Sequence, residues 1–142
     1  MKVLLATLAL SILPVVASGQ SVKAQDAPQF MKDTFPEQGL SAAWQEYQAV
    51  GNPNGALDAK TKELIGLAVA AQIPCVYCVY YHTQAARHAG ATDAQIKEAV
   101  ASAAETRKWS TVLNGNGYDM AEFKKQVDAA FAGSAATTGT KH

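Results

Sequence analysis

Pro74-Cys75-Val76-Tyr77-Cys78-Val79-Tyr80-Tyr81-His82-Thr83-Gln84-Ala85-Ala86-Arg87-His88-Ala89-Gly90 is the stretch that decides how this chain is read. By propensity, the valines and tyrosines of Val76 to Tyr81 favour a strand. Two features favour a helix instead. Pro74 and Gly90 bracket one helix length, proline suiting the first helical position and glycine the position just past the end. A helix also aligns the polar residues. Each residue advances about 100°, so Cys75, Cys78 and His82, at i, i+3 and i+7, share one face within roughly 60° of arc.

Working outward, Leu57 to Gln72 reads as a helix capped by Asp58. Leu64, Leu67, Ala68 and Ala71 form its expected buried stripe, widened by Ile65 and Val69. Gly51-Asn52-Pro53-Asn54-Gly55 is a loop by composition. Before it, a helix runs from about Leu40 to Val50, with Trp44, Tyr47 and Gln48 on one side. Residues 25–39, carrying Pro28, Pro36 and Gly39, read as a lead-in with a short helical turn around Phe30. After Gly90, Thr92-Asp93-Ala94-Gln95 has the capping-box pattern and opens a helix to about Val112. Asn114-Gly115-Asn116-Gly117 is a turn, and a last helix spans about Asp119 to Phe131. No segment alternates convincingly with period two. The expectation is an all-α protein, with a single helical domain of five or six helices over residues 40–132. Residues 133–142 are small and polar, a tail expected to be disordered.

The chain has 142 residues, enough for one domain. Hydrophobic residues make up 49% and charged residues 17%, and the net charge is zero. With no clustered basic surface in view, a nucleic-acid partner is not expected. Lys2, the apolar run Val3 to Val16 and the small and polar residues to Ala24 have the layout of a secretory signal peptide cleaved after Ala24. The run is short for a membrane span, which needs about 20 residues. The expected location is therefore the bacterial periplasm or the exterior. There, two nearby thiols tend to sit as a disulfide unless something reduces them.

Cys75 and Cys78 lie one turn apart, with Cβ atoms about 5–6 Å apart in an ideal helix. A disulfide wants about 3.5–4.5 Å, so a modest adjustment closes it. The helix N-terminus lowers thiol pKa, and the His82 imidazole one turn beyond Cys78 can take a proton. Glu63 lies twelve residues before Cys75. If the two helices pack antiparallel, its carboxylate reaches the Cys/His face. The bland alternatives are a structural disulfide and a metal site. A bridge closing so short a loop stabilises little. A structural zinc site wants four ligands, and Glu63 is the candidate fourth beside Cys75, Cys78 and His82. Haem attachment wants histidine directly after the second cysteine, where Val79 stands. No cofactor is expected. Tyr80, Tyr81 and Tyr77 read as packing or rim residues, Trp44 and Trp109 as core or subunit-interface residues, and His88 as surface.

The pattern Glu63-x(11)-Cys75-x(2)-Cys78-x(3)-His82, with Leu57 to Leu64 before it and Thr83 to Thr92 after it, resembles the signature of alkylhydroperoxidase D-like proteins. These lie within the carboxymuconolactone decarboxylase superfamily. The likeness covers about Leu40 to Lys108. It implies an all-helical homo-oligomer, a trimer or hexamer, acting as a thiol-dependent peroxidase. It also implies that Cys78 attacks a small-molecule hydroperoxide and becomes a sulfenic acid, which Cys75 resolves as a disulfide. His82 and Glu63 then serve the proton relay, and an unknown thiol reductant closes the cycle. Where the best-described members carry a second relay histidine, this chain has Tyr77, a possible relay or rim residue and a far weaker base near neutral pH. The rival readings are a decarboxylase acting on a cyclic lactone acid, which has no evident use for paired thiols, and a non-catalytic helical module with a structural disulfide.

Overall fold

The computed structural model describes residues 23–135, and every regular element among them is helical. A 3-10 turn over Ala24–Asp26 precedes six α-helices: α1 (Gln29–Thr34), α2 (Glu37–Gly51), α3 (Ala59–Gln72), α4 (Val76–His88), α5 (Asp93–Gly115) and α6 (Met120–Ala135). The expected all-α class is therefore observed among these residues, including the contested window Val76–Tyr81. The expected signal peptide lies outside the described residues except for Lys23 and Ala24; of the expected tail, residues 133–135 instead continue α6, and the rest lies outside the described residues. No described helix is long and apolar enough to cross a membrane.

The described residues divide into two compact units, one before and one after the Val50–Gly51 boundary. In the first, α2 starts at Glu37 rather than Leu40. The Gly39 amide donates to the Pro36 carbonyl at 3.0 Å, and Glu37 places a negative charge in the first turn, where the helix dipole favours it. Trp44 stacks on Tyr47 with ring centroids 5.4 Å apart. Its indole Nε1 is buried without a hydrogen-bond partner among the described residues.

In the second unit α3 packs against both α4 and α5. Leu67 and Ala70 of α3, Ala86 of α4 and Ala103 of α5 are buried. Alanine at these positions lets the helix backbones approach closely, since interaxial distance follows side-chain size at the contact. The buried line on α3 differs from the expected stripe. Leu67 is fully buried, but its companion is Ala70 rather than Ala71, and Ile65 and Val69 remain half exposed. The reason is geometric: Glu63 and Gly66 turn toward His82 of α4, and Ile65 lines an open groove between α3 and α5.

The ends of these helices follow the chemistry of their caps. Asp58 caps α3 by accepting from the Thr61 amide at 2.7 Å. Thr92 and Gln95 form the expected capping box on α5. At the other end of α3, Arg107 of α5 donates through Nε to the Gln72 side-chain oxygen at 2.6 Å and through Nη2 to the Gln72 carbonyl at 3.3 Å. The Gln72 amide in turn donates to the Ala103 carbonyl at 2.7 Å. This clamp fixes the last turn of α3, whose carbonyls have no helical partners.

The Asp58 cap makes a pH-dependent contribution. Backbone and side-chain hydrogen bonds from Thr61 hold the Asp58 carboxyl below the usual aspartate range. A depressed folded-state value stabilises the fold above the unfolded value, and that stabilisation is lost as pH falls through the folded one. Asp58→Ala is therefore expected to lower the melting temperature near neutral pH. The gap to wild type should narrow as melts are repeated below about pH 4.

Candidate active site

The loop between α3 and α4 is short, and it places the first sulfur. The Cys75 amide donates to the Ala70 carbonyl at 3.1 Å, tying the loop to the last turn of α3. Cys75 itself is not in the helix. Its backbone is extended, with φ −86° and ψ 97°, and α4 begins at Val76. Cys75 is the N-cap residue, and its Sγ accepts from the Cys78 amide at 3.2 Å. This moves the expected helix start by one residue. Cys75 and Cys78 form a disulfide with Cα atoms 5.3 Å apart. Stepping out of the helix at Cys75 supplies the adjustment that an ideal helical spacing lacks. Both sulfurs sit where unpaired helix amides concentrate partial positive charge.

His82 lies one turn beyond Cys78 on α4. Glu63 lies in the second turn of α3, and the packing of α3 on α4 brings the two together. His82 Nδ1 is 2.7 Å from Glu63 Oε2, with the side chains 28% and 22% exposed. With Nδ1–H donating to the carboxylate, Nε2 is left free to accept a proton. The imidazole's hydrogen bond goes to Glu63, and none joins it to a sulfur in this oxidised state. The Tyr81 ring meets the imidazole edge-on with centroids 5.2 Å apart.

The other sequence candidates fall away from this pair. Tyr77 is 85% exposed and sits on the rim of α4, about 140° around the helix from His82. His88 is exposed at the end of α4. Trp109 is half exposed, with its indole donating to Glu105 at 2.6 Å, so within one chain it is not a core residue. An open apolar hollow of about 390 Å³ is lined by residues that include Pro74, Val76, Val79 and Tyr80, and Glu63, Cys75, Cys78 and His82 are not among its lining residues. Among the described residues, no group of three or more His, Cys, Asp or Glu is placed to hold a metal ion.

Sequence reasoning missed Gly66. It lies one turn after Glu63, and its Cα faces the imidazole so closely that a Cβ there would fall 2.5 Å from His82 Cε1 and 2.6 Å from Nδ1. The available signal was a glycine in the middle of a helix otherwise rich in alanine and leucine, on the same side as the candidate acid.

A family model described as the carboxymuconolactone decarboxylase family matches residues 38–118, which include α3, α4 and all four candidate residues. The chain belongs to this family. That family includes alkylhydroperoxidase D-like proteins, the resemblance carried by the Glu63, Cys75, Cys78 and His82 spacing. Among curated proteins, the chain is 44% identical over 63 residues to "Uncharacterized protein 4 in cox locus" of Paracoccus denitrificans. That match covers 44% of this chain and 57% of the relative, so it spans little more than half of the relative's length. No solved structure matches the chain.

Proposed function

We propose that this member of the carboxymuconolactone decarboxylase family is a thiol-dependent peroxidase cycling between a Cys75/Cys78 dithiol and disulfide. The observation that carries the reading is the closed pair at the start of α4 on the same helix as an imidazole hydrogen-bonded to a carboxylate. A structural bridge over three residues stabilises little and needs no base beside it.

In the reduced protein, Nε2 of His82 takes the Cys78 proton, directly or through water, while Glu63 holds the ring and balances the imidazolium charge. The Cys78 thiolate attacks the terminal peroxide oxygen. The S–O bond forms as the O–O bond breaks, and the departing alkoxide takes the proton back and leaves as an alcohol. Cys75 then attacks the sulfenic sulfur, and its thiol proton leaves with the hydroxyl as water. The sum is dithiol plus hydroperoxide giving disulfide, alcohol and water. One external thiol opens the bridge as a mixed disulfide and a second resolves it, restoring the dithiol and leaving as an external disulfide, and the helix N-terminus eases the departure of either sulfur as thiolate.

Action outside the cytoplasm belongs to the same proposal, supported by the leader-like layout of residues 1–24. So does self-association into a trimer or hexamer. Val69, Ile73, Val76 and Tyr80 are each more than half exposed around the α3–α4 turn, an apolar patch of the kind that marks a protein–protein contact. Sedimentation equilibrium is expected to return a multiple of the chain mass, and a monomer at micromolar concentration would remove this part.

The enzymatic reading is tested by thiol counting. The prereduced protein should lose both thiols on adding one equivalent of cumene hydroperoxide and regain them with dithiothreitol. No peroxide-dependent loss would leave the structural-disulfide reading standing. Decarboxylation of a lactone acid surviving Cys75→Ser would favour the rival enzyme.

A further inference from the structure

We infer that Gly66 is a positioning residue for His82: the missing side chain on α3 is the space in which the imidazole lies while it bonds Glu63. The inference deepens the proposed peroxidase reading and rests on it for the consequence in rate, though not for the geometry. A Cβ at position 66 would fall 2.5 Å from Cε1, 2.6 Å from Nδ1 and 2.8 Å from Nε2 of His82. All three nearest atoms belong to one ring, and none is backbone. Glycine here therefore admits the imidazole, and the close approach of the helix backbones is not what demands it. The same three-residue offset that stacks Gly66 on Glu63 sets the floor and the hydrogen-bond acceptor for the ring on one face of α3. Gly115, by contrast, would meet nothing within 4 Å if it carried a Cβ.

Two consequences oppose each other. Alanine is a better helix former than glycine, so Gly66→Ala should leave the fold as stable or more so once the ring moves aside. A ring that moves by the ångström or so needed to clear a methyl group gives up the 2.7 Å bond to Glu63. The thiol is then left with an imidazole whose free nitrogen is no longer fixed.

The test uses the full chain with Gly66→Ala and Gly115→Ala, read by melting temperature, by ¹⁵N resonances of the His82 ring, and by single-turnover consumption of cumene hydroperoxide. Expected for Gly66→Ala are an unchanged or higher melting temperature, loss of the Nδ1–H tautomer preference, and a rate reduced at least as far as by Glu63→Gln. The double variant Gly66→Ala/Glu63→Gln should be no slower than the slower single variant. Gly115→Ala should change none of the site readouts. Ring resonances and a rate that match wild type in folded Gly66→Ala would overturn the inference. If Gly66→Ala fails to fold, adding His82→Ala should restore folding by removing the obstructing ring, and failure to restore it would overturn the inference too. If the wild-type protein consumes no peroxide, the ¹⁵N readout still decides the role of Gly66 while the peroxidase reading falls.

Discussion

Prereduced Cys78→Ser protein, mixed with one equivalent of hydroperoxide, is expected to form no trappable sulfenate at position 78 and to lose the fast phase of peroxide consumption. Serine keeps the shape but has no oxidisable sulfur, and its hydroxyl stays protonated at neutral pH. Whatever rate persists belongs to Cys75. Cys75 lies outside α4 and three residues further from His82 than Cys78, and positioned proton transfer contributes about 10²–10⁴-fold, so the loss should be on the order of 100-fold. Cys75→Ser should behave differently. Its first turnover should proceed near the wild-type rate and stop at the sulfenate, with no intramolecular partner to close the bridge. Rapid-quench mass spectrometry distinguishes the two. A fast sulfenate on Cys75 in the Cys78→Ser protein would exchange the two roles and overturn the order of attack.

The second large effect is at the base. Positioned proton transfer contributes about 10²–10⁴-fold, so His82→Ala should slow single-turnover peroxide consumption by at least about 100-fold. Glu63→Gln keeps the imidazole and offers an amide oxygen to Nδ1–H, so its loss should be smaller. Because Glu63 acts through His82 at 2.7 Å, the double variant should be no slower than His82→Ala alone. Additive losses would mean that Glu63 reaches the reacting atoms by its own route.

Much of this site was legible because a helix converts spacing into direction. The offsets set Cys78 and His82 one turn apart on α4, and the packing of α3 on α4, entertained from the sequence as a condition, brings Glu63 to His82. Caps were legible for the same local reason: Asp58 and the Thr92/Gln95 pair each satisfy amides within three residues. What escaped depends on the neighbouring helix. Pro74 suggested that Cys75 opens α4, yet its sulfur instead caps the Cys78 amide while its own amide is tied to Ala70. Gly66 costs its helix about 1 kcal/mol relative to alanine, which hints at a reason without naming one. Only the packing of α4 across α3 reveals that the reason is a ring. The burial of Ala70 rather than Ala71 is the same kind of fact, a rotation of α3 about its axis that α4 and α5 decide.

The Arg107 clamp gives α5 a part in events it never touches. Gln72 is held from below on both its side chain and its carbonyl, and two residues of chain separate it from the extended stretch that carries the first sulfur. α5 thus serves as a splint for the short segment that carries Cys75. Under the proposed dithiol cycle, loss of the Arg107 guanidinium would slacken the stretch on which the bridge closes and lower the rate with Glu63, Cys75, Cys78 and His82 all intact.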